Sequence, residues 1–462
     1  YQCIDCIGAG LFCQSCILSQ HTSTPLHRIE EWKDSHFAHT SLGSLGLLLK
    51  LGHGHTDCGV PGERRKDFCI INISGIHVID VSFCGCDFIP DDIQLLRKHL
   101  YPATPSQPRT AFMFDILNTF HLLTLLGKLS AYDFYLAIKH KTDNTGGSEI
   151  QSCYNQFLVC MGEFRHIRML RRTGRGLDPL GVSATKPVQC AVECPACPQP
   201  GMNLPANWQM ASDNIGSWKY GLILTVDANF RLKNKDQGMK YNAPLDDGWG
   251  HWVPEALYTS YLALHNDESE PNLCDSELHA VDHANKRRSK GYVSTGIAGV
   301  VCAQHGLVSS CMISTDVSTD AMFKPHDGYA NTDFVVFYML KSEKFTHLVL
   351  SYDICCQWSQ NLKHRIANLP DEMCLSEDKQ ECLVFVIPKF HLYGHSASCQ
   401  LSYSLNYLPW SAETDREDPE RWWSHINPVS MSTKIMGLGS HIDTIDDHAA
   451  AWNWGKITGF GE

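Results

Sequence analysis

Two aspartates in this chain each follow a short apolar run that has the length of a buried strand. Residues 220–226 lead to Asp227, and residues 345–352 lead to Asp353. The carboxyl ends of strands open onto the crevice in which an α/β sheet binds its ligands. Phosphodiester cleavage with two hard divalent cations needs several carboxylates that converge on the ions. The pair therefore predicts a Mg2+ or Mn2+ site that also takes a third acidic ligand.

We predict this third ligand in residues 414–423, where acidic side chains surround Pro419. Proline is tolerated in a first helical turn, so Glu417 and Glu420 would lie three residues apart on one helix face. Arg416 stands next to Glu417 and would compete with a metal for that carboxylate. The choice between the two glutamates stays open. A structural alternative also stays open, in which these acids only cap turns or serve a helix dipole.

Cysteines and histidines are concentrated in the first 90 residues. Two CxxC pairs followed by two histidines have the spacing of a small zinc module, since thiolates and imidazoles select zinc. The predicted ligands are Cys3, Cys6, Cys13, Cys16, His21 and His27. A second site is predicted among His53, His55, Cys58, Cys69, His77, Cys84 and Cys86. Buried cysteines without a metal are the alternative.

Further cysteine and histidine pairs lie later in the chain. The long separation between Asp227 and Asp353 predicts an insertion at about 250–330, and a Pro-rich hinge precedes the first strand with Cys190, Cys194 and Cys197. Two pairs in the insertion could hold one structural zinc, namely Cys274 with His279 and Cys302 with His305. His391, His395 and Cys399 would share one helix face near the third acidic segment, as core or metal-supporting residues, with a role as metal ligands as the alternative.

Charge and composition limit the partners. The formal net charge of -12 argues against tight autonomous DNA binding, although the excess acid lies in residues 211–462. Basic runs could still contact phosphates, with solvated faces as the alternative. Those residues are Arg165, Arg168, Arg171, Arg172 and Arg175, and in the insertion Arg287 and Arg288. No run approaches the roughly 20 apolar residues of a membrane helix.

The 21 cysteines, in a chain that does not begin with a secretory signal, favour an intracellular, reducing compartment. Because the sequence also lacks an initiator Met, we expect it to begin inside a longer gene product.

Several long strings resemble the KDZ (Kyakuja-Dileera-Zisupton) transposases of fungi. Residues 226–232, 352–358 and 420–428 are similar to the three catalytic blocks of that family, and residues 436–454 are similar to its tail. The cysteine-rich start resembles the CxC2-type cluster that precedes KDZ domains. The resemblance implies an RNase H-like core and DDE-type cleavage and strand transfer on DNA. The family usually has Asp-Gly-Glu where this chain has Asp415-Arg416-Glu417, a register that favours Glu417, and residues 315–333 also depart from the family pattern.

Together these observations predict an α/β protein of three parts: a CxC2-like zinc cluster at 1–90, a mainly helical linker or DNA-contact region at 91–189, and an RNase H-like core at 190–462. The predicted function is that of a nuclear DNA transposase that acts on transposon ends and target DNA. A homo-oligomer is compatible with this function, and no membrane partner is expected. Two alternatives remain, a catalytically degenerate or domesticated zinc- and DNA-binding protein and a zinc-scaffolded protein-interaction module.

Overall fold

The computed structural model describes residues 1–461 except 9, 53–57, 87–88, 148, 209–216, 239–241, 265–290, 316–328, 342–344 and 412. The chain forms two compact units, Tyr1–Ile167 and Arg168–Glu462. Neither predicted boundary, at residue 90 or at residue 189, coincides with this division, and the three-part division stays a prediction. Both units mix helices and strands, which confirms the α/β class.

Unit 1 contains two sheets. A three-stranded antiparallel sheet has the order β1-β2-β3, and a five-stranded mixed sheet has the order β4-β6-β5-β8-β7. The strands are β1 (Gln2–Cys3), β2 (Arg28–Lys33), β3 (His36–Ser41), β4 (Leu48–Lys50), β5 (Pro61–Asn72), β6 (Gly75–Cys84), β7 (Leu100–Pro102) and β8 (Thr110–Met113). The helices are α1 (Gln14–Gln20), α2 (Asp91–Arg97), α3 (Phe114–Gly127), α4 (Ala131–Thr142) and α5 (Tyr154–Arg172), which runs across the division.

Aromatic packing holds the helices of unit 1 on one face of its larger sheet. Phe112 of β8, Phe120 of α3 and Phe157 of α5 are buried together. Residues 111–138 have a helical pattern in the sequence, but helix α3 begins only at Phe114, because residues 110–112 pair in parallel with β5. Residues 91–97 also have a helical pattern in the sequence, and they form α2.

Unit 2 is built on a five-stranded sheet of order β13-β12-β9-β14-β15. The strands of the unit are β9 (Leu222–Asn229), β10 (Asn234–Lys235), β11 (Tyr292–Ser294), β12 (Gly296–Cys302), β13 (Ile313–Thr315), β14 (Leu348–Ser351) and β15 (Leu383–Val386). β9 pairs antiparallel with β12 and parallel with β14, and β14 pairs parallel with β15. Strands β12 and β14 are buried along their whole length, as their uninterrupted apolar runs require.

The helices of unit 2 are α6 (Glu255–Leu264), α7 (Ala330–Leu340), α8 (Cys355–Trp358), α9 (Leu362–Ile366), α10 (Glu377–Glu381), α11 (Lys389–Leu392), α12 (Ala397–Ser402), α13 (Asp418–Ile426), α14 (Ser430–Thr433) and α15 (Leu438–Thr458). Helix α7 is buried on nearly all sides and belongs to the main core of the unit, together with β9, β12 and β14. A second core joins Trp422 of α13 to Ala449 of α15.

Three sequence predictions differ from this structure. Residues 292–315, assigned to an insertion, supply β12 and β13 of the central sheet, so the inserted segment is shorter than predicted. Residues 355–366 have a helical pattern in the sequence but form two short helices, because α8 ends at Trp358 and α9 starts at Leu362. The helix expected across 391–399 is also interrupted, because α11 ends at Leu392 and α12 begins at Ala397.

Within the part of the chain that the structure describes, no helix combines the length and the apolar character that crossing a membrane requires.

Candidate functional site

The pairing of β9 with β14 brings the two predicted aspartates to one edge of the sheet. The strands are parallel, and Thr225 is the partner of Ser351. Asp227 and Asp353 each lie two residues further on, so their backbones reach the same level. Asp227 lies inside β9 and not at its end as predicted, since the antiparallel pairing with Gly299 of β12 continues past the parallel pairing.

Negative charge accumulates at this edge. Burial raises the pKa of Asp227 to about 8, and the nearby charges of Asp353 and then Glu420 contribute in the same direction. Burial also raises the pKa of Asp353 to about 7, with added repulsion from Glu420 and Glu417. A bound cation would stabilise the ionised form of all these groups, because opposite charge lowers a carboxyl pKa. The charge distribution thus fits a divalent metal.

The third acidic segment meets this edge through helix α13. Pro419 occupies its first turn, as predicted, and Glu417 is the residue that precedes the helix. Glu420 lies one turn before Trp423, whose indole Nε1 donates to Asp227 Oδ2 over 2.7 Å. A cavity of about 300 Å³ is lined by Asp227, Glu420, Trp423 and Asn427 among others. Glu420 therefore faces the same space as Asp227.

The two glutamates have different surroundings. Glu417 Oε1 accepts a hydrogen bond of 2.9 Å from the backbone N–H of Phe390, so one of its oxygens is already held by the protein. The Glu420 side chain is 56% exposed and lines the cavity. Asp415, in contrast, pairs with Arg421, and the hydrogen bond from that guanidinium lowers the pKa of Asp415. Asp415 is thus neutralised by the chain itself.

His391 lies among these carboxylates. Its Nδ1 is 3.5 Å from Asp353 Oδ2, and its Nε2 is 4.0 Å from Glu420 Oε1. The prediction that His391, His395 and Cys399 share one helix face is wrong, because the helix is broken between residues 392 and 397. His391 reaches the acidic site, whereas His395 lies 3.4 Å from the Sγ of Cys356.

Arg416 was expected to compete with a metal for Glu417, but its side chain lies elsewhere. Its side chain is 1% exposed and donates from Nη1 to the backbone oxygen of Ala303 over 3.2 Å. Burial lowers its pKa to about 10, with opposing attraction from Asp418 and then Cys302. The backbone φ of +64° at Arg416 is the left-handed conformation that glycine adopts most easily. That conformation gives a physical reason for the glycine that similar transposases usually carry here.

The first cysteine and histidine cluster is smaller than predicted. Cys3, Cys6, His21 and His27 place their ligand atoms within 4.8 Å of one another. Cys6 Sγ lies 3.4 Å from His21 Nε2 and 3.3 Å from His27 Nδ1, close to the separation of about 3.5 Å between two ligands of a tetrahedral zinc. The His21 Nδ1 contacts the backbone oxygen of Ile17 at 2.8 Å, which orients the ring.

Cys13 and Cys16 are not part of that cluster. Both are exposed, and Cys13 Sγ contacts the Ser15 hydroxyl at 3.2 Å. Cys13 immediately precedes α1, and that helix buries Ile17 toward the core while Cys16 stays on its outer side. Four ligands are already present without them.

The second cluster contains three of the predicted ligands. Cys58 Sγ lies 3.3 Å from Cys84 Sγ and 3.5 Å from Cys86 Sγ. Cys69 instead contacts Cys153 at 3.7 Å, and the ring of His77 contacts the hydroxyl of Ser74 at 2.9 Å. His53 and His55 lie outside the described residues.

A third cluster joins the Pro-rich hinge to the central sheet. Cys194 and Cys197 meet Cys302, at the end of β12, and His305. Cys197 Sγ lies 3.1 Å from Cys302 Sγ, and Cys194 Sγ lies 3.4 Å from His305 Nδ1. The predicted partners Cys274 and His279 lie outside the described residues.

The sequence contained a signal for this arrangement, since a CxxC pair and a CxxH pair together supply four ligands. Each of the three clusters has a donor set that could bind zinc.

The predicted basic surface is partly described. Arg168, Arg171 and Arg172 are exposed near the end of α5, and Arg165 is half-buried. Arg175 is paired with Asp178 at 3.0 Å. Arg287 and Arg288 lie outside the described residues.

Comparison with known families places these sites in context. The family described as Kyakuja-Dileera-Zisupton transposase matches residues 220–453, just over half of the chain. The CxC2 like cysteine cluster associated with KDZ transposases matches residues 42–146, a range that includes the second cluster and starts after the first. No curated protein and no solved structure matches the chain. The predicted resemblance to the KDZ transposases and to the CxC2 cluster is confirmed.

Proposed function

Because the chain belongs to the Kyakuja-Dileera-Zisupton transposase family, we propose that its acidic site cuts and joins DNA strands with the help of two divalent metal ions. The observation that carries this proposal is the meeting of Asp227, Asp353 and Glu420 at one sheet edge, with pKa values of the two aspartates raised by burial and mutual repulsion. Such clustering of carboxylates with raised pKa values is typical of a functional site that binds a cation.

The arrangement of the sheet supports an RNase H-like core of the DDE type. Along its order, β13-β12-β9-β14-β15, two antiparallel pairings are followed by two parallel pairings. Asp227 lies on the central strand, Asp353 follows the adjacent parallel strand, and Glu420 lies on a helix that packs against the central strand. The fold thereby brings one carboxylate from each of three separate elements to one edge of the sheet.

We assign Asp227, Asp353 and Glu420 as the metal ligands, with Glu417 in a supporting position. Glu420 is favoured because its charge acts on both aspartates, whereas Glu417 acts on Asp353. The hydrogen bond from the backbone N–H of Phe390 fixes one oxygen of Glu417. Trp423 Nε1 donates a hydrogen bond to Oδ2 of Asp227, so we assign Oδ1 as the oxygen that binds a cation.

When bound, a pair of Mg2+ or Mn2+ ions would supply Lewis-acid activation of the attacking oxygen and charge stabilisation of the leaving oxygen. The chain's own contribution is to fix the carboxylates before the substrate arrives. His391 lies within reach of Asp353 and Glu420 and can orient either carboxylate.

DNA is the expected partner of a transposase, and we propose that the exposed Arg168, Arg171 and Arg172 contact its phosphates. Arginines near the end of one helix can neutralise phosphates without reading sequence. A nuclear location follows from the proposed action on chromosomal DNA.

The test is cleavage of a labelled DNA duplex that carries the ends of the corresponding element, with Mg2+ or Mn2+ and with a chelator. We expect metal-dependent strand cleavage by the wild type and a loss of about 10³-fold or more in Asp227→Asn and Asp353→Asn, since removal of one essential electrostatic group costs that much. The exposed Asp371→Asn is the matched control and should cleave normally. Equal cleavage by all four proteins would show that another site is responsible. Absence of cleavage in every protein, with DNA binding retained, would favour the degenerate DNA-binding alternative.

A further inference from the structure

A fourth cysteine and histidine cluster lies directly beside the acidic site. Cys356 of α8, His395 between α11 and α12, and Cys399 of α12 place their ligand atoms within 4.8 Å of one another. Cys356 Sγ lies 3.4 Å from His395 Nδ1. Two ligands of a tetrahedral zinc, one sulfur and one nitrogen, are separated by about 3.5 Å. The cluster already has the spacing of a metal site.

Its surroundings suit a metal better than isolated thiols. Cys356 is 2% exposed and His395 is 5% exposed, while Cys399 is partly exposed. Two thiolates and a neutral imidazole cancel the charge of Zn2+, so the complex adds no net charge to the interior. The partly exposed Cys399 leaves one side open, where a water molecule can complete the tetrahedron.

The identity of the donors separates this cluster from the acidic site next to it. Thiolate and imidazole ligands select zinc, whereas carboxylate oxygens select Mg2+ or Mn2+. The backbone of Asp353 acts electrostatically on the His395 ring, so the ring lies next to the loop that carries Asp353.

The position of the cluster links two halves of the acidic site. Cys356 lies three residues after Asp353, at the start of α8. His395 lies four residues after His391, and the neighbouring Phe390 holds Glu417 through its backbone N–H. A metal that joins Cys356 to His395 would therefore fix the loop of Asp353 against the segment that holds Glu417.

We propose that Cys356, His395 and Cys399 bind a zinc ion that positions Asp353 for the acidic site. The zinc site itself stands independently of the proposed strand cleavage, and only its positioning role rests on that function.

The first test measures zinc per chain in the purified full-length protein, by mass spectrometry of the metal after dialysis. Cys356→Ser and Cys399→Ser should each lose about one zinc per chain relative to the wild type, since zinc affinity depends on every ligand. Cys355→Ser is the matched control, because Cys355 is an adjacent buried thiol outside the cluster. The other clusters are intact in all four proteins, so the difference reports this site alone. Unchanged zinc in both cluster variants would overturn the proposal. If Cys356→Ser does not fold, the partly exposed Cys399→Ser decides.

The second test measures Mn2+ binding at the acidic site by calorimetry, without DNA. Cys399→Ser should weaken Mn2+ binding about 10-fold or more, the usual effect of removing a residue that orients a metal ligand. A normal Mn2+ affinity combined with loss of one zinc would overturn the positioning role while leaving the zinc site in place. Neither measurement uses catalysis, so an inactive enzyme would not affect the result.

Discussion

Replacing Asp227 by Asn should make the metal-free protein more stable at neutral and basic pH. The pKa of Asp227 is raised from 3.8 to about 8, by burial and then by the charge of Asp353. Between these values the unfolded chain has lost the proton while the folded chain keeps it. The folded state then binds more protons, so stability falls as the pH rises from about 4 to about 8. The raised pKa of Asp353, at about 7, acts in the same direction.

The size of this effect follows from the pKa difference. One pKa unit corresponds to about 1.4 kcal/mol, so the raised pKa of Asp227 costs the folded state at most about 6 kcal/mol once the pH reaches about 8. Because the carboxyl keeps some contact with solvent, we expect about 1–3 kcal/mol. For a unit of this size that free energy corresponds to a melting temperature about 2–6 °C higher in Asp227→Asn.

The assay is thermal unfolding of wild type, Asp227→Asn and the control Asp371→Asn, at pH 5 and pH 8, with a chelator and then with Mn2+. At pH 8 without metal the Asp227 variant should melt highest, and at pH 5 the difference should shrink. Mn2+ at 100 times its Kd should add about 2.7 kcal/mol to the wild type and to the control, and much less to Asp227→Asn. A metal-free Asp227 variant that melts below the wild type at pH 8 would refute the repulsion that we infer. Equal stabilisation of all three proteins by Mn2+ would refute the ligand role.

Three further predictions follow from the same geometry. In calorimetry, Glu420→Gln should weaken Mn2+ binding about 10-fold or more and Glu417→Gln should weaken it less, since the charge of Glu420 acts on both aspartates. The reverse order would identify Glu417 as the metal ligand. Metal analysis should show that Cys6→Ser loses about one zinc per chain and that Cys13→Ser loses none, because four ligands are present without Cys13. Loss of zinc from both variants would show that Cys13 is also a ligand. Replacing Arg168, Arg171 and Arg172 together by Gln should weaken the salt dependence of binding to duplex DNA. The slope of log affinity against log salt concentration should fall in magnitude by about 3, since each phosphate contact contributes about 0.9. An unchanged slope would mean that these arginines are only solvated.

The acidic site shows what a sequence pattern can predict and where it fails. Apolar runs before Asp227 and Asp353 mark buried strands, and the parallel pairing of those strands is what brings the two residues to one edge. The apolar residues before Asp227 do not show where β9 ends. Antiparallel pairing with β12, which begins 67 residues after the end of β9, extends the strand. The choice between Glu417 and Glu420 also depended on tertiary contacts, namely the backbone N–H of Phe390.

The cysteine clusters show a related limit. The spacing within a CxxC or CxxH pair can be seen in the sequence, but the tertiary fold determines which other pair completes its metal site. Cys302 and His305 were assigned to the nearest pair in the sequence, whereas β12 brings them to Cys194 and Cys197. The conformation of Arg416 cannot be predicted from the sequence either, since only the structure shows its positive φ and its buried contact with the backbone of Ala303.

The central claim is that Asp227, Asp353 and Glu420 form a two-metal site, and anomalous diffraction from crystals of the full chain soaked in Mn2+ tests it most directly. We predict two anomalous peaks about 3.5–4 Å apart, within coordination distance of these three carboxylates, and no peak there in crystals of Asp227→Asn. Crystals whose carboxylates bind no Mn2+, with Lys or Arg side chains neutralising them instead, would contradict it.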